Sequence, residues 1–251
     1  MRILVTNDDG IHADGLAVCE AIAQSIGAEV WTVAPESDQS GVAHSLSLND
    51  PLRLREAGPQ RFAVLGTPTD CVIMALKHIM PSPPDLILSG VNRGQNVAED
   101  VTYSGTVAAA MEGTILGVPS IALSQAYGPG GRENIAWDCA RQHAPALIKK
   151  VLEIGIDAGT LVNINFPNCQ PAEVVGTRVT TQGQRDANFL RIEARNDGRM
   201  IPYYWIGFTR GQYDLGHGTD LEALAEQHIS VTPLRLNLTD EPNVTRFAAH
   251  F

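Results

Sequence analysis

Two adjacent carboxylates are the first residues in the chain with obvious chemistry. Asp8 and Asp9 follow the apolar run Ile3-Leu4-Val5, and like charges held side by side repel unless a cation or a proton intervenes. A divalent cation would relieve that repulsion. Ser40, in Glu36-Ser37-Asp38-Gln39-Ser40-Gly41, and Asn92, in Gly90-Val91-Asn92-Arg93-Gly94-Gln95-Asn96, could complete an all-oxygen set with the pair. Such a set suits a hard ion, Mg²⁺ or Mn²⁺, and leaves positions for water and substrate. Without a ligand the pair would read as a turn or a helix cap, but Asp14 is the expected cap and leaves it free.

A second constellation is suited to an anion. In Tyr103-Ser104-Gly105-Thr106-Val107 a small, hydroxyl-rich turn opens a helical stretch. Free N–H groups at a helix start attract phosphate, Gly105 permits close approach, and Ser104 and Thr106 add donors. Ser104 would equally serve as an ordinary N-cap with no ligand. Gly66-Thr67-Pro68-Thr69-Asp70 reads as a structural strand-to-helix turn, stiffened by Pro68 and capped by Thr69 or Asp70. His12 and His44 lie near the acidic and serine loops, but a single histidine is more often a packing residue, and both stay outside the catalytic set. The chain has neither a G-x-x-x-x-G-K-[ST] loop nor a G-x-G-x-x-G after the first strand, and no G-x-S-x-G elbow.

The elements that must position these groups alternate. Strands are predicted at Ile3 to Thr6, Glu29 to Ala34, Phe62 to Leu65, Asp85 to Ser89, Ser120 to Ser124 and Leu161 to Phe166. Helices are predicted over Asp14 to Ile26, Thr69 to Met80, Ser104 to Leu116 and Glu133 to Ile154. This alternation favours a mostly parallel, doubly wound sheet covered by helices, whose ligands bind beyond the carboxyl ends of the strands. After about Gly183 the texture changes: Arg191 to Arg195 and Tyr203 to Phe208 read as two strands around Asn196-Asp197-Gly198, a projecting hairpin suited to a subunit contact.

Composition narrows the function classes. A chain of 251 residues, 44% hydrophobic, can bury a sizeable core without metals or disulfides. Cys19, Cys71, Cys139 and Cys169 form no C-x-x-C pair and are expected to be reduced, mostly buried thiols of a cytoplasmic protein. The N-terminus lacks a signal peptide's apolar region of ~7–15 residues, and no run approaches the ~18 apolar residues of a membrane span. A formal charge of −10 argues against a stable nucleic-acid complex, though a small phosphate ester can bind where a cation and N–H groups reverse the local field.

Taken together, Asn7-Asp8-Asp9-Gly10, Ser40-Gly41, Gly66 to Asp70, Ser89 to Asn96 and Tyr103 to Gly113 resemble the SurE (survival protein E) family of 5′/3′-nucleotidases. The likeness returns in Thr219-Asp220-Leu221 and Ser230 to Leu234. It departs at Asp14, where Pro is usual, and at His217 and Asn237, where Asp is more common. The resemblance implies a Rossmann-like, three-layer α/β fold: a metal- and phosphate-binding core over 1–182, a β-hairpin arm over 183–215, and a helix, strand and tail over 216–251 that return to the core or a neighbouring subunit. It implies hydrolysis of nucleoside 5′- and 3′-monophosphates with one divalent cation per subunit on Asp8, Asp9, Ser40 and Asn92. It further implies phosphate held by Asn96 and the Ser104-Gly105-Thr106 turn, and a homo-dimer or tetramer. The expected chemistry is phosphoryl transfer to water, with Asp8 and Asp9 as catalytic residues. Two rivals are a nucleotide sensor without turnover and an aspartyl-phosphate phosphatase of the haloacid dehalogenase type. The latter needs a D-x-D spacing that the adjacent Asp8 and Asp9 do not have.

Overall fold

A computed structural model of the chain describes residues 1–27, 29–128, 130–185, 190–208 and 215–251. Strand β1 (Arg2–Thr6) leads through helix α1 (Asp14–Ile26) to β2 (Glu29–Pro35), and β3 (Arg53–Gly58) and β4 (Arg61–Leu65) follow. Next come α2 (Pro68–Met74), β5 (Leu86–Arg93), the short α3 (Asp100–Tyr103), α4 (Gly105–Ile115), β6 (Ser120–Gln125), α5 (Trp137–Ile154) and β7 (Thr160–Phe166). The last third adds β8 (Gly176–Val179), the hairpin β9 (Leu190–Asn196) and β10 (Pro202–Phe208), α6 (Asp220–Ala225), β11 (His228–Arg235) and α7 (Glu241–Ala248). Nine strands form one sheet in the order β3-β4-β2-β1-β5-β6-β7-β11-β8, parallel except at β3–β4 and β7–β11.

Side-chain alternation splits the core into two layers. Ile3 and Val5 face α1 and α5 with Leu16, Cys19, Ala140 and Ile148, whereas Leu4 and Ile87 face α2 and α4 with Val72 and Ala109. Strands buried on both faces read as continuous apolar runs, which is why β1 and β5 were legible. The chain moves outward from β1 to β2, then crosses to β5 on the other side of β1. That reversal opens a crevice beyond the carboxyl ends of β1, β2 and β5.

Several expectations need correction. The N-cap of α1 is Ala13, with no side-chain bond, and Asp14 is the first helical residue; its charge favours the helix dipole but it caps nothing. In α2 the cap is Thr67, which accepts from the Asp70 N–H while Asp70 accepts from the Thr67 N–H, so the two close a reciprocal box. The helix read from Glu133 is a 3₁₀ turn over Gly131–Glu133 followed by α5 from Trp137. Edge strands β3 and β8 were not anticipated, because both are short and largely polar or exposed, as edges tend to be. Of the 183–215 segment, β9 and β10 pair from Leu190↔Phe208 to Asn196↔Pro202 as a sheet of their own, while residues 186–189 and 209–214 lie outside the described residues.

Helix α1 approaches the sheet so closely that only a glycine fits at Gly15: a Cβ there would lie 2.0 Å from the Val91 carbonyl oxygen and 2.9 Å from the Trp137 ring. Gly15→Ala should therefore cost about 1–3 kcal/mol through overpacking. In thermal unfolding this is a fall of roughly 2–4 °C per kcal/mol for a chain of this size. An unchanged midpoint would refute this packing.

Candidate metal and phosphate site

The turn after β1 is held by Asn7, whose amide donates to the Gly10 carbonyl at 3.0 Å while its Oδ1 accepts from the Gly10 N–H. This leaves neither aspartate to cap a helix. Asp8 is 4% exposed, and its Oδ1 accepts from the Thr106 hydroxyl at 2.5 Å. Asp9 Oδ2 accepts from the Arg93 N–H at 3.0 Å, and the Arg93 guanidinium lies 3.7 Å from Asp9 Oδ1 and 3.5 Å from Asp38. Burial, and then the charge of Asp9, push the Asp8 carboxyl up to about 7. Two carboxylates, Asp9 and Asp38, thus face one guanidinium while the buried Asp8 carboxyl lies beside Asp9, a local excess of negative charge that a cation would relieve.

The remaining expected ligands arrive from neighbouring strand ends. Ser40 is exposed on the loop after β2 and its hydroxyl donates to Asp38 Oδ1 at 2.6 Å. The loop is tied to the site by the Gln39 N–H, which donates to the Asp8 carbonyl at 2.8 Å, and to α4 by the His44–Glu112 pair at 3.0 Å. Asn92 closes β5, and its amide nitrogen donates to the Gly94 carbonyl at 2.9 Å, which leaves Oδ1 as its acceptor end. Among the described residues no three His, Cys, Asp or Glu side chains gather to hold an ion. Two carboxylates with a neutral hydroxyl and amide match the sparse charge of a Mg²⁺-type site, which keeps waters and takes substrate phosphate as further ligands. The donor set fits a hard divalent cation.

The start of α4 presses against Asp8. A Cβ on Gly105 would meet the Asp8 Cβ at 2.8 Å and the Pro68 ring at 3.1 Å. Ser104 is the N-cap and accepts from the Val107 N–H at 3.1 Å, so the cap reading of this serine holds whatever else it does. The N–H groups of Gly105 and Thr106 belong to the first turn, where the helix itself offers no acceptor. Asn96 is buried; its amide donates to the Ser124 hydroxyl at 2.9 Å and its N–H to Asn165 at 2.8 Å.

The loop between Asn96 and Ser104 is anchored from outside. Asp220 accepts from the Ala98 and Gly183 N–H groups, and the buried Arg185 guanidinium grips Asp100 through two bonds of 2.8 and 2.7 Å. This gives the Thr219-Asp220 motif its place: Thr219 caps α6 and Asp220 holds the loop between Asn96 and Ser104.

Sequence reasoning singled out neither Arg93 nor the neighbouring cavity. Arg93 Nε is buried and has no hydrogen-bond partner among the described residues. A cavity of about 1110 Å³ is lined by Asp9 and Arg93 together with His12, Glu36, Trp137 and Asn168. An arginine directly after Asn92 and three residues before Asn96 was a visible signal, but the cavity joins segments far apart in the chain.

The raised Asp8 carboxyl predicts how stability varies with pH. The folded protein keeps the Asp8 proton until about 7 whereas the unfolded chain releases it near 3.8, so the stabilising contribution is complete below 3.8 and lost as pH rises through about 7. With chelator present, the unfolding midpoint should fall from about pH 4 to about pH 7 and level off above that, and excess Mg²⁺ or Mn²⁺ should raise it again at the upper end. Asp8→Asn should flatten that fall; the same slope in the variant would refute the assignment.

Comparison with known proteins agrees with this architecture. The profile of the family described as Survival protein SurE matches residues 3–188. The chain is 66% identical to the 5′-nucleotidase SurE of Methylorubrum extorquens (strain PA1) over 252 aligned positions, covering 100% of this chain and 99% of the relative. It is 63% identical to the 5′-nucleotidase SurE of Beijerinckia indica subsp. indica, covering 99% and 95%. The crystal structure of the SurE protein from Aquifex aeolicus superposes with a TM-score of 0.85 at 40% identity, covering 98% of each chain. The chain is a member of the SurE family.

Proposed function

We propose that the protein is a metal-dependent phosphomonoesterase that hydrolyses nucleoside 5′- and 3′-monophosphates to nucleoside and phosphate. The observation that carries this reading is the contact between the two halves of the site: Gly105 brings the first turn of α4 against the Asp8 carboxylate, so an anion held by the helix start abuts the acidic pair. The relatives named 5′-nucleotidase support the substrate class. A divalent cation on Asp8, Asp9, Ser40 and Asn92 would supply charge neutralisation and polarise a phosphate oxygen.

The protein's own groups do the rest. The Gly105 and Thr106 N–H groups receive equatorial phosphate oxygens, helped by the helix dipole, while Asn96 braces the neighbouring loop through Ser124. Arg93 stands between Asp9 and Asp38 with an unsatisfied Nε–H, placed to meet a substrate oxygen. Asp9, held by the Arg93 N–H, orients the attacking water, and the leaving ribose oxygen departs on the opposite side of phosphorus.

Assembly and location complete the reading. The hairpin exposes Ile192, Tyr204, Trp205 and Ile206, each more than half accessible, and α7 exposes Val244 and Phe247. Apolar patches of this kind mark subunit contacts, and we assign them to a homo-oligomer. The four cysteines are buried and unpaired, which suits a reducing cytoplasm. Among the described residues no helix is long and apolar enough to cross a membrane.

Two experiments test this. Phosphate release from 5′- and 3′-mononucleotides should require Mg²⁺ or Mn²⁺, stop with chelator and fall at least ~10²-fold in Asp8→Asn. Turnover that persists under both conditions would sink the metal assignment. Replacing Leu190–Phe208 with a short Gly-Ser linker should lower the mass measured by light scattering, and an unchanged mass would remove the hairpin from the interface.

A further inference from the structure

The cavity beside the aspartates has walls from two sources: the loops after β1 and β2 with the end of β5, and the start of α5 together with the loop after β7. Its volume of about 1110 Å³ is ample for a nucleoside, since pockets for small ligands run from roughly 300 to 1,000 Å³. We propose that this cavity takes the nucleoside of the substrate and that the Trp137 indole is the surface on which the base stacks. The proposal rests on the nucleotidase reading above.

Two observations support it. Among the described residues Trp137 is the sole indole or phenyl ring in the lining, and it is only half-buried. Gly15 leaves the space in which the six-membered part of the indole lies against α1, so the ring is braced by the helix that begins just after the aspartates.

The chemistry of the remaining lining selects the same ligand. Asn134, Asn168 and Gln170 contribute side-chain amides, each with both a donor and acceptors, which match the mixed edge of a neutral base. Asp14, Glu36 and Glu133 line the same space and oppose a second phosphate there. The position therefore takes a neutral, planar heterocycle, and purines, with the larger ring face, stack on it best.

Kinetics on adenosine 5′-monophosphate and on ribose 5-phosphate, which shares the phosphate and sugar but lacks a base, separate stacking from structure. Trp137→Leu should lower kcat/KM for the nucleotide roughly tenfold through KM, Trp137→Phe should restore most of it, and ribose 5-phosphate should change less than about twofold. Equal losses on both esters, or no loss on either, would overturn the subsite. Adenosine itself reports binding without any hydrolysis: it should quench indole fluorescence in wild type and lose that quenching in Trp137→Phe. Quenching without phosphate release would retire the nucleotidase reading and keep the subsite, whereas turnover of nucleotide with no Trp137-dependent quenching would do the reverse.

Discussion

The arrangement depends on burying the Asp8 carboxyl next to the Asp9 carboxyl at the end of β1. A carboxylate withdrawn from water beside a like charge is costly, and burial first, then the charge of Asp9, raise its proton affinity. The surrounding structure offsets only part of this, through the Thr106 hydroxyl on Asp8 and the Arg93 N–H and guanidinium on Asp9. Under the function proposed above, a site that retains such an imbalance would take a cation, and the anion accompanying it would have the first turn of α4 to receive it.

Holding that imbalance requires rigid surroundings, and each wall is tied down by polar contacts. The Ser40 loop is fastened to Asp8 through Gln39 and to α4 through His44 and Glu112. The loop from Asn96 to Ser104 is fastened by Asn163, Asn165, Asp220 and Arg185. Arg185 and Gly183 lie at the entry to the segment that leads into the β9–β10 hairpin, so the loop from Asn96 to Ser104 and that entry share one set of hydrogen bonds. Functional residues on loops are precise here because those loops are bonded to buried strands and helices.

Much of this was readable from residue types. Doubly buried strands announce themselves as apolar runs, so β1, β6 and β7 were placed within a residue, while β5 was found but runs four residues past its expected end at Ser89. The acidic pair, the serine and asparagine loops and the Ser104 turn all fell where strands end, and a parallel sheet gathers strand ends along one edge. Helix ends were less legible. Ala13 caps α1 without a side chain, and Thr67 rather than Thr69 closes the box with Asp70, because cap position depends on one backbone angle that composition does not encode.

By itself the sequence determined the α/β class, the oxygen character of the donors and the likeness to SurE proteins, because these follow from local hydrophobic period and from which side chains carry oxygen. Tertiary structure decided which hydroxyl Asp8 accepts from, that Arg93 stands between Asp9 and Asp38, and that Trp137 faces the same cavity as Asp9. Those facts join residues separated by about a hundred positions or lying on opposite sides of a crossover. Their distances are set by how helices pack on a twisted sheet, which neither spacing nor composition records.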